Sequence, residues 1–253
     1  MKANYSFEIP YQEVDKNRRL RLYSLENYLL NVAGRAADDG GYGIQSLLPY
    51  GYTWIITRVN IEIDYIPTHT DKIRVETWIE KNAHMLSNRN YRIYLENGES
   101  KLIGRATSVW AVLDLKKREI VNAFPMPMFD NTEDGEPLDL PRAGKLIPIQ
   151  EPTGNKQREV VYSDIDYNGH CNSCKYLEIA LDSCMPAFLS EYLSQAASYG
   201  LRIDINYHKE IGEGGQLDVI YKEDSGAIQY QLKELNASTC CSIRISKTDK
   251  TSC

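Results

Sequence analysis

The sequence predicts an α+β protein that builds one plan twice, an antiparallel sheet wrapped on a long central helix. Three observations carry this: an internal repeat, a helical apolar stripe after each copy of it, and strand-like alternation after each stripe. Glu8-Ile9-Pro10-Tyr11-Gln12-Glu13-Val14-Asp15-Lys16-Asn17 matches Glu159-Val160-Val161-Tyr162-Ser163-Asp164-Ile165-Asp166-Tyr167-Asn168, with Glu, Tyr, Asp and Asn identical at an offset of 151 residues. A repeat of this kind sets the organisation of the whole chain.

After the first copy, Leu25, Tyr28, Leu29, Val32 and Ala36 follow the spacing of one buried helix face, and Leu177, Ala180, Leu181, Cys184 and Phe188 do so after the second. Pro186 is expected to end or kink the second helix near Met185, because proline has no N–H to donate and its ring clashes with the preceding turn. Ile61, Ile63 and Tyr65 then alternate with Glu62 and Asp64, as Ile203, Ile205 and Tyr207 alternate with Asp204 and Asn206. Such alternation marks half-buried strands. Here the offset has fallen to 142. Further strands are expected at 72–80, 90–96 and 102–113 in the first half, with 216–221, 227–235 and 239–246 as counterparts. Asn97-Gly98 reads as a hairpin turn. Residues 125–156 hold Pro125, Pro127, Pro137, Pro141, Pro148 and Pro152 and little periodicity, which predicts a linker between a first domain at 1–124 and a second at 157–253.

A chain of 253 residues and 28.9 kDa with 42% hydrophobic residues can bury a real core. A net charge of −6 gives no support to nucleic-acid binding, although Lys16, Arg18, Arg19 and Arg21 form a local basic run. Met1 to Pro10 is polar and no stretch approaches the roughly 20 apolar residues of a membrane span, so a cytoplasmic protein is expected. Cys171, Cys174, Cys184, Cys240, Cys241 and Cys253 all fall in the second half, a distribution that suits reduced thiols better than a disulfide framework. The adjacent pair Cys240-Cys241 does not complete a zinc spacing with Cys171 and Cys174, and no metal or cofactor is expected. Gly-rich phosphate loops, Gly-x-Ser-x-Gly elbows and His-Glu-x-x-His are absent from the sequence.

The densest chemistry lies in Tyr162 to Asn172, just ahead of the second helix. Asp166, Asn168 and Asn172 are residues that an ordinary turn and N-cap also require. His170 stands out because it sits in a polar, glycine-containing turn and not on the apolar helix face. Free N–H groups at the helix start can stabilise an oxyanion developing on a carbonyl. Glu210, at the end of the 201–207 strand, is a candidate base. By the two offsets, Arg19 stands at the His170 position and Thr68 at the Glu210 position, while Asp15 and Asn17 survive. This pattern predicts one active site per chain, in the second half. Cys171 adjoins His170, but sequence neighbours on a turn usually point apart and no basic cluster lowers that thiol's pKa, which argues against a cysteine nucleophile.

Asp164-Ile165-Asp166-Tyr167-Asn168-Gly169-His170-Cys171-Asn172, with its trailing Lys175-Tyr176, resembles the Asp-x-Asn-x-His-x-Asn segment of acyl-acyl carrier protein thioesterases of plants and bacteria. Trp54 to Arg58, Asp71 to Trp78 and Arg105 to Trp110 are similar to further signatures of that family. The resemblance implies a double hotdog fold and hydrolysis of fatty acyl thioesters to free fatty acid and carrier, ending or diverting fatty acid synthesis. It implies Asp166, Asn168, His170 and Glu210 as catalytic residues, with Asn172 as a substrate contact. Lys209-Glu210-Ile211 departs from the family's Lys-Glu-Cys stretch, which leaves water activated by Glu210 as the implied route. The first half would hold the acyl tail. The phosphopantetheine arm would enter between the halves, and the acidic carrier protein could meet Arg18, Arg19 and Arg21. A homodimer is compatible with this. An acyl-coenzyme A thioesterase, a non-catalytic acyl-binding hotdog protein and, further off, a hotdog dehydratase are the alternatives.

Overall fold

The computed structural model describes residues 2–194 and 197–250. The first half runs from strand β1 (Ala3–Glu8) through helix α1 (Leu22–Asp39) and a short helix α2 (Ile44–Leu47). Strands β2 (Tyr52–Ile63), β3 (Lys72–Ala83), β4 (Leu86–Leu95), β5 (Lys101–Asp114) and β6 (Glu119–Val121) follow. The second half repeats the order with β7 (Gly154–Glu159), α3 (Ser173–Ser183), α4 (Ala187–Ser194), β8 (Gly200–Tyr207), β9 (Gln216–Asp224), β10 (Ala227–Glu234) and β11 (Thr239–Thr248). The break between α3 and α4 falls at Cys184 to Pro186, where the proline was expected to stop the helix.

All eleven strands join in one antiparallel sheet of order β1-β3-β4-β5-β2-β8-β11-β10-β9-β7, with β6 on β5. The halves meet where β2 pairs β8, and Ile61 lies opposite Ile203, the two positions the repeat equates. The sheet therefore carries a pseudo-two-fold at its centre. Ile61, Ile63, Ile203 and Ile205 point inward and are fully buried, together with Leu25, Leu29 and Val32 of α1 and Leu177 and Ala180 of α3. Burying an aliphatic side chain of this size contributes about 1.5–3 kcal/mol, so this inner face is the main source of stability. The two helices also pack on each other. For that reason the buried stripe of α1 is wider than one face, and it takes in Ser24, Glu26, Ala33 and Ala37.

The proline-rich segment differs from a free linker. Strand β7 begins at Gly154, three residues inside the expected 125–156. The remainder crosses the outer face of the sheet as a hydrogen-bonded strap. The Trp78 ring N–H donates to the Glu136 carbonyl at 2.7 Å, Asn60 Nδ2 to Pro141 O at 3.0 Å and Asn206 Nδ2 to Gly144 O at 3.0 Å; Ile149 N donates to Gln231 Oε1 at 3.0 Å. Proline supplies carbonyls without demanding acceptors for N–H groups, and polar side chains on the outer face of the strands answer them. Phe129, Leu140 and Ala143 are buried beneath or within this strap.

Candidate active site

The repeated motif folds into the same turn twice. Asp166 Oδ1 accepts from Asn168 N at 2.8 Å and His170 N at 3.4 Å, and Gly169 N returns to Asp166 O at 3.0 Å. In the first half, Asp15 Oδ1 accepts from Asn17 N at 2.8 Å and Arg19 N at 3.0 Å, and Arg18 N returns to Asp15 O at 2.9 Å. Both turns need a left-handed residue at the same place. It is Gly169 at φ 79° in the second copy and Arg18 at φ 65° in the first, where a side chain costs conformational energy that glycine does not. The aspartate is thus the organiser of the turn in both halves, and the histidine appears in only one.

Behind the second turn, Asp164 is buried and held by both arms of Arg158, at 2.7 and 3.0 Å, and by Val161 N at 3.0 Å. Burial alone would raise this carboxyl, but the Arg158 guanidinium and the Val161 N–H outweigh it and hold it below the usual carboxylate range. Asp164 O accepts from Asn172 N at 2.8 Å, which fixes the entry to α3.

The turn brings His170 Nδ1 to 3.3 Å from Glu210 Oε2. The other carboxylate oxygen, Oε1, contacts the guanidinium of Arg118. Arg118 comes from the opposite half, at the tip of the hairpin between β5 and β6, and adopts φ 59° there. Sequence reading missed it, because nothing in the repeat or in the motif segment points to an exposed Lys116-Lys117-Arg118 hairpin tip.

Glu210 also lacks the counterpart assigned to it from spacing. Cys171 N donates to Ile211 O at 2.8 Å as Leu20 N does to Pro67 O at 2.7 Å, and His170 bridges Gly212 as Arg19 bridges Thr68. Thr68 is therefore equivalent to Gly212. Between the equivalent Tyr65 and Tyr207 and these bridges, the first half has Ile66 alone, whereas the second has His208, Lys209 and Glu210. A two-residue enlargement of this one connection places the carboxylate beside His170.

The start of α3 bears on two further expectations. Asn172 is the N-cap of α3, its side-chain oxygen accepting from Cys174 N at 3.0 Å, while Lys175 N donates to the Asn172 carbonyl at 2.9 Å. With Asn172 N, Cys174 N and Lys175 N engaged within the protein, two of the three first-turn amides of α3, those of Cys174 and Lys175, are already committed. The Asn172 side-chain oxygen is committed to this cap. Cys171 is buried, and burial followed by the Asp164 charge pushes its thiol up to about 12, so it offers no thiolate near neutrality. Cys171, Cys174, Cys184, Cys240 and Cys241 are unbridged, and Cys253 lies outside the described residues.

A cavity of about 560 Å³ opens beside the turn, within the range of small-molecule sites. Tyr167 and Asn168 line it from the second half. The first half supplies the rest, including Leu30, Ala33 and Gly34 of α1, Trp54 of β2 and Trp110 of β5. A second cavity of about 310 Å³ is its pseudo-symmetric partner, lined by Asp15 and Leu20 to Tyr23 from the first half and by Glu178, Leu181, Asp182, Met185 and Leu193 from the second. Arg21 borders this second cavity, and Arg19 donates to Ile66 O at 3.2 Å. The structure brings Asp166, Asn168, His170 and Glu210 together, and of the basic run it places Arg21 at the other, smaller cavity.

Two sheet-wrapped helices paired through β2 and β8, with one polar turn opening on an apolar cavity, define a tandem hotdog protein. Residues 1–125 match the acyl-ACP thioesterase N-terminal domain and 149–251 the C-terminal domain. The crystal structure of an acyl-ACP thioesterase from Bacteroides thetaiotaomicron is 30% identical, with 97% of each chain covered and a TM-score of 0.85. The chain belongs to the acyl-ACP thioesterase family. The 12:0-ACP thioesterase of Umbellularia californica shares the fold at 17% identity, with 98% of each chain covered and a TM-score of 0.78. A palmitoyl-acyl carrier protein thioesterase of Gossypium hirsutum is 25% identical over 229 residues, covering 84% of this chain and 52% of its own length. The chain spans about half the length of the curated plant relatives it matches. No helix among the described residues is long and apolar enough to cross a membrane.

Proposed function

We propose that this protein hydrolyses fatty acyl thioesters of acyl carrier protein to free fatty acid and carrier. The observation that carries the reading is the meeting of His170 and Glu210 at 3.3 Å beside a cavity that Asn168 lines. Glu210, oriented by His170 on one oxygen and Arg118 on the other, accepts a proton from water as the water oxygen attacks the thioester carbonyl. The Asn168 side-chain amide donates to the carbonyl oxygen as negative charge develops there. Collapse of the tetrahedral intermediate breaks the carbon–sulfur bond, and the departing thiolate takes the proton that Glu210 accepted from water, which restores the carboxylate. Asp166 keeps the turn in register. A carboxylate on its own charged, half-exposed site suits a base better than a buried thiol does.

The acyl tail occupies the 560 Å³ cavity of the first half, and the second half supplies the reacting groups. Carrier approach is assigned to the mouth, where Tyr167 and Leu115 are exposed and Lys116 and Lys117 stand beside Leu115. A family in which relatives are named for carrier-protein substrates supports this over coenzyme A. Mass spectrometry of the products from the same acyl chains on acyl carrier protein and on coenzyme A tests the reading. Free fatty acid from the carrier-bound chains, at higher kcat/KM than from coenzyme A, is expected. Faster release from coenzyme A overturns the carrier assignment, and bound acyl groups with no release overturn hydrolysis.

A further inference from the structure

Deep in the acyl cavity lies a charge that an alkyl chain does not need. Arg89 of β4 is only 4% exposed and lines the cavity with Ser87, Ile79 and Tyr42, all buried. Its Nη2 donates to Tyr42 OH at 2.8 Å and its Nη1 to Thr77 Oγ1 at 3.2 Å; both acceptors are neutral, and no carboxylate pairs with it among the described residues. Asp38, the acid that lines the same cavity, is exposed on α1. A buried guanidinium has five N–H donors, and an unpaired buried charge is strongly unfavourable in a low-dielectric wall. Farther along the inward face of β4, Tyr91 and Ile93 are buried core and Leu95 packs against it, so Ser87 and Arg89 interrupt the hydrophobic pattern where the strand reaches the cavity.

The position is remote from the reacting groups. Leu115 is at the exposed mouth, and Arg89 pairs with Ser108, seven residues back along β5, about 23 Å of strand. We propose that Arg89, with Ser87, is a specificity-determining pair that binds an oxygen function, a hydroxyl or a carboxylate, at the end of the acyl chain remote from the thioester. The inference rests on the hydrolytic reading for its substrate and names that substrate's chemical class. An oxygen acceptor there would satisfy donors that a methyl terminus leaves empty, and a site built to hydrogen-bond a group discriminates strongly against the analogue lacking it.

The test offers carrier protein loaded with methyl-, hydroxyl- and carboxylate-ended chains over a ladder of matched lengths, with thiol release read as kcat/KM. At one length an oxygen-ended chain should exceed its methyl-ended partner by about tenfold or more, chiefly through KM. Arg89→Met should abolish that preference, and Arg89→Lys should retain it for the carboxylate alone. Methyl-ended chains hydrolysed as well at every length, or a preference that survives in Arg89→Met, overturns the proposal. If Arg89→Met does not fold, calorimetric binding of free dicarboxylic against monocarboxylic acids of equal length to the wild-type protein decides, equal affinity counting against. That binding comparison also separates the two readings: failure to release any fatty acid defeats hydrolysis, while a dicarboxylate preference still upholds Arg89.

Discussion

Glu26 gives a prediction whose size can be worked from the structure. It sits on α1 with no exposed surface, takes a hydrogen bond from the Tyr207 hydroxyl on Oε1, and leaves Oε2 without a partner. Burial raises its carboxyl from 4.5 to about 8, against a smaller lowering by Tyr207. In the unfolded chain the same group ionises near its ordinary value, so between pH 4.5 and about 8 the unfolded state has lost a proton that the folded state keeps. Folding stability therefore falls as pH rises through that window, by about 1.4 kcal/mol per pH unit, or about 3 kcal/mol by pH 7. Glu26→Gln keeps an acceptor for Tyr207 and removes the titration. It should match wild type near pH 4.5 and exceed it by about 3 kcal/mol at pH 7. Urea unfolding followed by tryptophan fluorescence at pH 5, 6, 7 and 8 measures this. Parallel pH profiles for the two proteins would refute the burial argument.

Other consequences follow from the same packing. Gly34 lies inside α1 and lines the acyl cavity, with nothing within 4 Å of a Cβ built on it. Gly34→Ala should raise stability by about 0.5–1 kcal/mol in thermal unfolding, whereas Gly34→Leu should move the released fatty acids toward shorter chains. Arg158→Ala strands Asp164 in the interior and should cost about 3–5 kcal/mol, with a loss that shrinks as acid protonates Asp164; a pH-independent loss would show that the ion pair is not the cause. Reversing Lys116 and Lys117 to Glu should raise KM for carrier-bound substrate in a salt-sensitive way, while Arg18→Glu should leave it unchanged. The opposite pattern would return carrier docking to the first-half basic run.

Much of the architecture was legible because the chain states it twice. The motif copies, the apolar helix stripes and the period-2 strands each fix one local choice, and Pro186 marks the break between α3 and α4. Two kinds of feature escaped. One arises where elements from distant sequence meet. Arg118 reaches Glu210 only because the β5–β6 hairpin projects across to the second half, and Glu26 reads as an exposed helix position until α3 covers that flank. Leu177, its counterpart at the same offset, keeps the apolar choice. The other is hydrogen-bond bookkeeping. Spacing cannot tell that Asn172 spends its side chain on Cys174 N, or that the proline-rich segment satisfies its carbonyls on Asn60, Asn206 and Trp78. Matching Glu210 to Thr68 failed for a related reason, since strand offsets do not reveal where two extra residues enter a loop.

The central claim is that His170 and Glu210 act together on a water at the end of the acyl cavity. The direct measurement is single-turnover release of fatty acid from acyl carrier protein by wild type, His170→Ala and Glu210→Ala, with thermal unfolding of each in the same buffer. Both variants should lose at least about a hundredfold in rate, as removal of a general base does, while their unfolding temperatures stay close to wild type because both side chains are partly exposed. Either variant turning over at near the wild-type rate, with its fold intact, would contradict the account.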